Sequence, residues 1–103
     1  MREWILVNAE ERAKENPANF EMPPKEARMG LKPRTLVKLI FQFKDADSNN
    51  KEIEAERMWV EIIENNGDDY LGTLDNDPEV IKRLKSGDKI EFKPENIIAI
   101  WED

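Results

Sequence analysis

Hydrophobic residues in this chain are grouped in short runs that are typical of β-strands. The most apolar run covers residues 36–43, and its length and β-branched content predict a largely buried strand. The same pattern predicts further strands over residues 57–64, 69–74, 89–92 and 97–101, and a short edge strand or ordered arm over residues 2–7. A β-rich domain is therefore expected.

Turn residues separate these runs. Residues 65–68 (Asn-Asn-Gly-Asp) predict a hairpin, because Asn-Gly supplies the positive φ angles that tight turns need. Two similar phrases, at residues 31–37 and 84–90, each place a turn directly before a β-rich segment. The polar residues 45–51 predict a flexible loop.

Signals for the start of a helix occur at three places. Asn8 is a good N-cap, and Glu11 is its capping-box partner, so a helix is predicted over residues 9–15. A Pro-Pro pair predicts a short helical turn over residues 25–30, which ends at a glycine. An Asp-Pro pair predicts a third helix over residues 77–84.

These elements predict a single α+β domain over residues 1–103. An N-terminal arm and short helix form residues 1–19, and residues 20–103 form the core. The short strands and frequent turns favour a small, strongly bent antiparallel sheet or a half-open SH3-like barrel with two or three short helices. The alternative is a flat sheet with helices packed on one face.

Composition narrows the chemistry. The chain has no cysteine and no histidine, so disulfides, thiolate chemistry and the commonest metal ligand are all missing. We therefore expect a domain that is not an enzyme and that folds without metal or cofactor. The apolar run near the N-terminus has four residues, too few for a signal sequence or a membrane span, so we expect a cytoplasmic protein without membrane contact.

Charge is unevenly distributed along the chain. The formal net charge of −7 argues against broad nucleic-acid binding, which needs a positive surface. Residues 20–44 are nevertheless locally basic, through Lys25, Arg28, Lys32, Arg34, Lys38 and Lys44. A nucleic-acid-binding module that uses this stretch, with Trp59 or Phe41 stacking on bases, is one alternative function.

The strand around Trp59 is the most informative candidate surface. Alternation places Arg57, Trp59 and Glu61 on one face of the strand, opposite the apolar side chains between them. Trp59 is then either an exposed platform for a base or peptide, or a residue covered by a helix or by the N-terminal arm. We expect the covered arrangement, in which long polar neighbours lie over the ring.

Acidic residues form a second candidate. Asp68, Asp69, Asp75, Asp77 and Glu79 weakly resemble a calcium loop or a carboxylate pair. The calcium-loop spacing lacks the glycine and the distal glutamate, so a hairpin turn and a helix cap explain these residues better. A carboxylate-based hydrolase is the least favoured function.

A set of phrases along the chain is shared with a known family: residues 31–33, 36–41, 56–61, 72–78, 84–90 and 94–98. Read together, they resemble the YegJ-like family of bacterial proteins, catalogued as domain of unknown function 2314, over roughly residues 20–100. The resemblance implies no activity. It implies that Arg57, Trp59, Asn76, Asp77 and Pro78 belong to the family pattern, whether for fold or for function.

The chain departs from that family pattern at two places. The family often has Gly-Asp where this sequence has Arg34-Thr35, and often has histidine where this sequence has Asn96. The first turn can therefore differ in geometry, and a histidine-dependent role is not available here.

The sequence therefore favours a non-enzymatic binding or accessory domain that contacts a protein or peptide, as a monomer or weak dimer. No cofactor is expected. The candidate binding surface consists of Lys32, Arg34, Arg57, Trp59, Glu61 and Asn76.

Overall fold

The computed structural model describes residues 4–43, 55–79 and 84–102. The elements within them are β1 (Trp4–Leu6), α1 (Ala9–Glu15), α2 (Lys25–Arg28), β2 (Leu36–Phe43), β3 (Ala55–Asn65), β4 (Tyr70–Leu74), β5 (Lys89–Phe92), a 3₁₀ turn (Pro94–Asn96) and β6 (Ile97–Ile100). The two helices are short, and the strands carry most of the ordered backbone.

All strand pairs are antiparallel, and β1 to β5 are neighbours in the order of the chain. β6 pairs with β2, so β2 has three partners. β3 runs along one edge of β2, while β6 and β1 share the other edge, opposite residues 37–39 and 41–43 respectively. The result is a nearly closed, barrel-like sheet, which confirms the predicted α+β fold.

The main core lies on the inner face of this sheet. Alternation along β2 and β3 directs every second side chain inward, as the period of two for a strand requires. The buried residues of this core are Trp4, Val37, Leu39, Phe41, Met58, Val60, Ile62, Tyr70, Leu74, Leu84, Ile90, Phe92 and Ile97. Phe41 packs edge-on against Trp4 at 5.1 Å between ring centroids.

A second, smaller cluster covers part of the outer face. Val7 and Ala9 bring the N-terminal arm and α1 onto Ile40 and Ile98, with Phe20 and Met22 packed at the edge. The outer face of the sheet is thus covered near β1 and β6.

Local signals located several elements correctly. The predicted bounds of α1, β2 and β5 agree with the structure. Asn8 caps α1, since its Oδ1 accepts the Glu11 backbone N–H at 3.1 Å. β3 is longer than predicted and α2 is shorter.

Three predicted elements fall partly or wholly outside the described residues. Of the strand or arm predicted over residues 2–7, residues 2 and 3 lie outside them, and β1 covers Trp4–Leu6. The predicted loop over residues 45–51 lies outside them entirely. For the predicted helix over residues 77–84, residues 77–79 are not helical, which corrects its predicted start, and residues 80–83 lie outside the description.

Arg28 joins three short elements although it is only 4% exposed. Its Nη1 donates to Glu10 Oε2 of α1 at 2.8 Å and to the carbonyl of Pro94 in the 3₁₀ turn at 3.0 Å. Its Nε donates to the Pro23 carbonyl at 2.9 Å, and its own carbonyl accepts the Tyr70 hydroxyl at 2.7 Å. This buried guanidinium fixes α1, α2 and the 3₁₀ turn to one another.

Candidate binding site on the outer sheet face

The predicted alternation in β3 is confirmed. Arg57 is exposed, Trp59 and Glu61 are half-buried, and the side chains between them are buried in the core. These three side chains therefore share the outer face of the sheet, where successive members stand about 7 Å apart along the strand.

Trp59 packs against a second tryptophan from the C-terminal end of β6. The ring centroids of Trp59 and Trp101 are 5.4 Å apart and the rings are nearly perpendicular, at 82°. Trp101 is held there by its backbone N–H, which donates to the Leu36 carbonyl at 2.9 Å. Trp101 is still 53% exposed, so the pair presents apolar surface to solvent.

Lys38 completes this surface. It lies opposite Trp59 in the register of β2 and β3, and its Nζ is 5.4 Å from the centre of the Trp59 ring. A cation at that distance is attracted by the π face. This contact explains why one lysine interrupts the apolar run of β2. Trp59, Trp101 and Lys38 are called the tryptophan patch below.

Asn76 supports the backbone beneath the patch. Its Oδ1 accepts the backbone N–H of Trp59, and the Trp59 carbonyl accepts the backbone N–H of Asp75 at 2.9 Å. The segment that leaves β4 is therefore attached to β3 at Trp59. Asn76 is half-buried and acts here by positioning the chain.

A family model described as an uncharacterized protein conserved in bacteria matches residues 5–101. The chain belongs to the DUF2314 family. The match includes β1 and α1, so it extends further toward the N-terminus than the phrases read from the sequence. No curated protein and no solved structure matches the chain.

The predicted cover over Trp59 in this DUF2314 chain is corrected in part. α1 begins shortly after β1, which lies along β2. Its residue Ala9 therefore packs on Ile40 and Ile98 rather than on Trp59. Trp59 is shielded instead by Trp101 and Lys38, and it remains half-buried. It is neither a free platform nor a fully covered core residue.

Lys32 and Arg34 of this DUF2314 chain lie in the turn that precedes β2, and the first residue of β2, Leu36, accepts the Trp101 N–H. The Thr35 N–H donates to the Lys32 carbonyl at 3.2 Å, and Arg34 has a φ of 78°. Proline at the second position and positive φ at the third are typical of a type II turn. The Arg34 N–H donates to the Ile62 carbonyl at 2.7 Å, three residues along β3 from Trp59.

The binding surface predicted from the sequence does not include Trp101, and Lys38 enters that prediction only as one cation of the basic stretch 20–44. The backbone of Trp101 ties the C-terminal end of β6 to β2. The available signal for Lys38 was a single charge on the same strand face as Leu36 and Ile40. That charge indicates a place beside the two tryptophans only when the pairing of β2 with β3 and β6 is known.

The acidic candidates of the DUF2314 chain do not form one cleft. Asp68 and Asp69 lie in the hairpin before β4, whereas Asp75 and Asp77 follow β4 at its other end. A strand of that length separates the two groups by roughly 20 Å, more than a carboxylate pair in a glycosidase spans. Among the described residues, no group of three or more acidic side chains is placed to hold a metal ion.

Two residues that were candidates for binding nucleic acid are buried in this DUF2314 chain. Arg28 is engaged with Glu10 and with backbone carbonyls, so its charge does not contribute to a basic surface. Phe41 is fully buried and so cannot stack on a base. Across the described residues, no helix has the length and apolar character needed to cross a membrane.

Proposed function

We propose that this DUF2314 chain is a binding domain that contacts a protein or peptide partner through the tryptophan patch. The observation that carries the proposal is the solvent-exposed pair of Trp59 and Trp101 on the outer face of the sheet. Among the described residues, Trp101 is the most exposed large hydrophobic side chain. Tryptophan is enriched among the residues that dominate binding energy at protein interfaces.

The exposed surface of the tryptophan pair suits an apolar side chain of an extended segment. The two rings contact each other edge to face, so a ligand group that packs on the pair covers apolar area of both rings at once. Lys38 and Glu61 lie beside the pair and carry opposite charges. A protein segment can complement both charges beside an apolar anchor, whereas a nucleic-acid backbone offers only negative charge.

The pattern of exposure also favours a role outside the core. Trp4, the third tryptophan, is 8% exposed and packs against Phe41. Trp101 could have been replaced by a smaller residue without opening that core, because it lies on the opposite face of the sheet. An aromatic residue kept on an outer face is typical of interaction surfaces.

The test is a selection of a random peptide library on the immobilised domain. Enriched peptides are synthesised, and their affinities for the wild type and for Trp101→Ala are measured by isothermal titration calorimetry. We expect the substitution to weaken binding by about tenfold or more, the usual effect at a central interface aromatic. Trp101 is preferred to Trp59 for this test because its greater exposure makes its removal less disruptive to the fold.

Met29→Ala is the matched control. Met29 is an exposed apolar residue at the C-terminal end of α2, so its substitution should leave the affinity for the peptides unchanged. Enrichment of no peptide, or peptides that bind both variants equally, contradicts the proposal. A single-stranded oligonucleotide is titrated in parallel. Oligonucleotide binding that is lost in Trp101→Ala would favour the nucleic-acid alternative and overturn the peptide proposal.

A further inference from the structure

β5 is an edge strand of the barrel-like sheet. Its pairing partner is β4, and no backbone hydrogen bond of the described residues joins its other edge to another strand. Lys89 and Glu91 are exposed, while the alternate residues Ile90 and Phe92 are buried. One edge of β5 is therefore available for pairing.

The register identifies which backbone groups face that edge. In an antiparallel ladder, hydrogen-bonded and non-hydrogen-bonded pairs alternate. The Leu74 N–H donates to the Asp88 carbonyl at 2.9 Å, and the same register pairs Gly72 with Ile90. The N–H and C=O groups of Lys89 and Glu91 therefore point away from β4, toward the open edge.

We propose that β5 pairs with β5 of a second copy of this chain, in an antiparallel, two-fold symmetric dimer centred on Ile90. Lys89 of each copy then lies opposite Glu91 of the other. Both residues form hydrogen-bonded pairs in this register, which gives four backbone hydrogen bonds across the interface. An antiparallel contact of this kind uses the same surface on both copies and closes the assembly at two chains.

The charges of the strand are complementary to this register. Lys89 and Glu91 are on the same face, two residues apart, so a two-fold axis through Ile90 places opposite charges together twice. Charged residues on an edge strand ordinarily oppose self-pairing. In β5 the order lysine, isoleucine, glutamate makes the self-pairing attractive instead.

The surroundings leave room at the edge. An open groove of about 510 Å³ lies beside the C-terminal end of β5, and Leu6, Glu91, Phe92 and Asn96 are among the residues that line it. Within the described part of the chain, this end of the strand therefore borders open space. Because only one four-residue strand from each copy takes part, the area is small and the dimer is weak and concentration-dependent.

The experiment is sedimentation velocity of the full chain from about 10 µM to about 1 mM, the range in which contacts of small area associate. We expect the wild type to shift from monomer to dimer across this range. Lys89→Glu and Glu91→Lys each convert two attractive cross-strand pairs into repulsive ones, and should raise the dissociation constant by about tenfold. The double variant Lys89→Glu/Glu91→Lys should restore the wild-type dissociation constant.

A mixture of the two single variants offers a sharper test. Each variant alone should dimerise about tenfold more weakly than the wild type. An equimolar mixture should form heterodimers, because each introduced charge meets an opposite charge on the other variant. Lys14→Glu and Glu15→Lys on the exposed side of α1 are the matched controls for net charge and should leave dimerisation unchanged. Circular dichroism confirms that all variants fold.

Three results would overturn the proposal: a wild type that is monomeric throughout, a dimer that both single variants leave intact, or single variants whose defect neither the double variant nor the mixture rescues. Trp101→Ala should dimerise like the wild type, because the tryptophan patch lies on β3 and beyond β6 rather than on β5. The two proposed surfaces therefore succeed or fail separately.

Discussion

The guanidinium of Arg28 and the carboxylate of Glu10 form an ion pair at 2.8 Å, with the arginine side chain 5% exposed and the glutamate 38%. The same guanidinium donates to two backbone carbonyls. The ion pair therefore joins α1 to α2. The same arginine side chain also supplies the hydrogen-bond donors for the carbonyls of Pro23 and Pro94.

Replacing Arg28 with methionine should destabilise the fold by about 3 kcal/mol, because the partly buried carbonyls of Pro23 and Pro94 lose their donor and Glu10 loses its counter-charge. The free energy of unfolding is measured by urea denaturation. Lys25→Met on the same helix is the control, since Lys25 is exposed, and it should change stability by less than about 0.5 kcal/mol. Equal effects of the two substitutions would mean that the Arg28 contacts contribute nothing.

The contact between Trp59 and Trp101 can be measured by a double-mutant cycle. Trp59→Ala should cost about 2 kcal/mol, less than a fully buried aromatic, because Trp59 is half-buried. The coupling free energy between Trp59→Ala and Trp101→Ala should be about 1 kcal/mol, as for other edge-to-face aromatic pairs. A coupling of zero in urea melts would show that the two rings do not support each other in solution.

Arg34→Gly should leave the domain as stable as the wild type or stabilise it by up to about 1 kcal/mol. Arg34 has a φ of 78°, a conformation that costs an arginine free energy and that glycine adopts readily. Lys32→Gly, two residues earlier in the same turn, relieves no strain and only increases the conformational entropy of the unfolded chain. It should therefore lower the free energy of unfolding by roughly 0.5–1 kcal/mol. Thermal melts of the two variants should therefore move in different directions, and a common decrease would contradict the strained turn.

Gly87→Val should destabilise the domain by roughly 1–3 kcal/mol, since Gly87 has a φ of 94° that a β-branched residue resists. A Cβ atom at this position would meet no neighbouring atom within 4 Å, so the expected cost comes from the backbone conformation. Chemical denaturation measures the loss, with Lys85→Val in the same turn as the control. An unchanged midpoint for Gly87→Val would mean that the turn relaxes freely.

EDTA should leave the midpoint of thermal unfolding unchanged. The chain has no histidine or cysteine, and its main core is an apolar cluster whose burial supplies the driving force for folding. Differential scanning calorimetry with and without the chelator is the measurement. A large fall in the midpoint would point to a metal held by carboxylates and would return attention to Asp75 and Asp77.

Elements with strong local signals could be predicted from the sequence. β2 has length and β-branching, α1 has a side-chain cap, and the turn before β5 has a glycine at positive φ. In each case the decisive interactions join residues close in sequence, so the sequence pattern is sufficient to predict the element. The alternation in β3 likewise identified the outer face that carries Trp59.

The rest depends on contacts between distant residues. Trp101 meets Trp59 only because β6 pairs with β2 beside β3, and no local pattern specifies that order. Arg28 appears in the sequence as one cation of a basic stretch, yet its neighbours in space are Glu10 and Pro94. Asn96, where a histidine was expected from the family pattern, donates to the Val7 carbonyl at 3.0 Å and joins the 3₁₀ turn to the arm.

The three-partner arrangement of β2 has a consequence for how the chain folds. Val37 pairs with Ile100, about sixty residues later, and Phe41 pairs with Leu6, about thirty-five residues earlier. Loops of such length must close before β2 gains its full hydrogen bonding, and folds of high contact order cross their transition state in milliseconds to seconds. Until β6 arrives, the most apolar strand of the chain has an open edge, so the nascent polypeptide presents its main aggregation-prone segment early and protects it last.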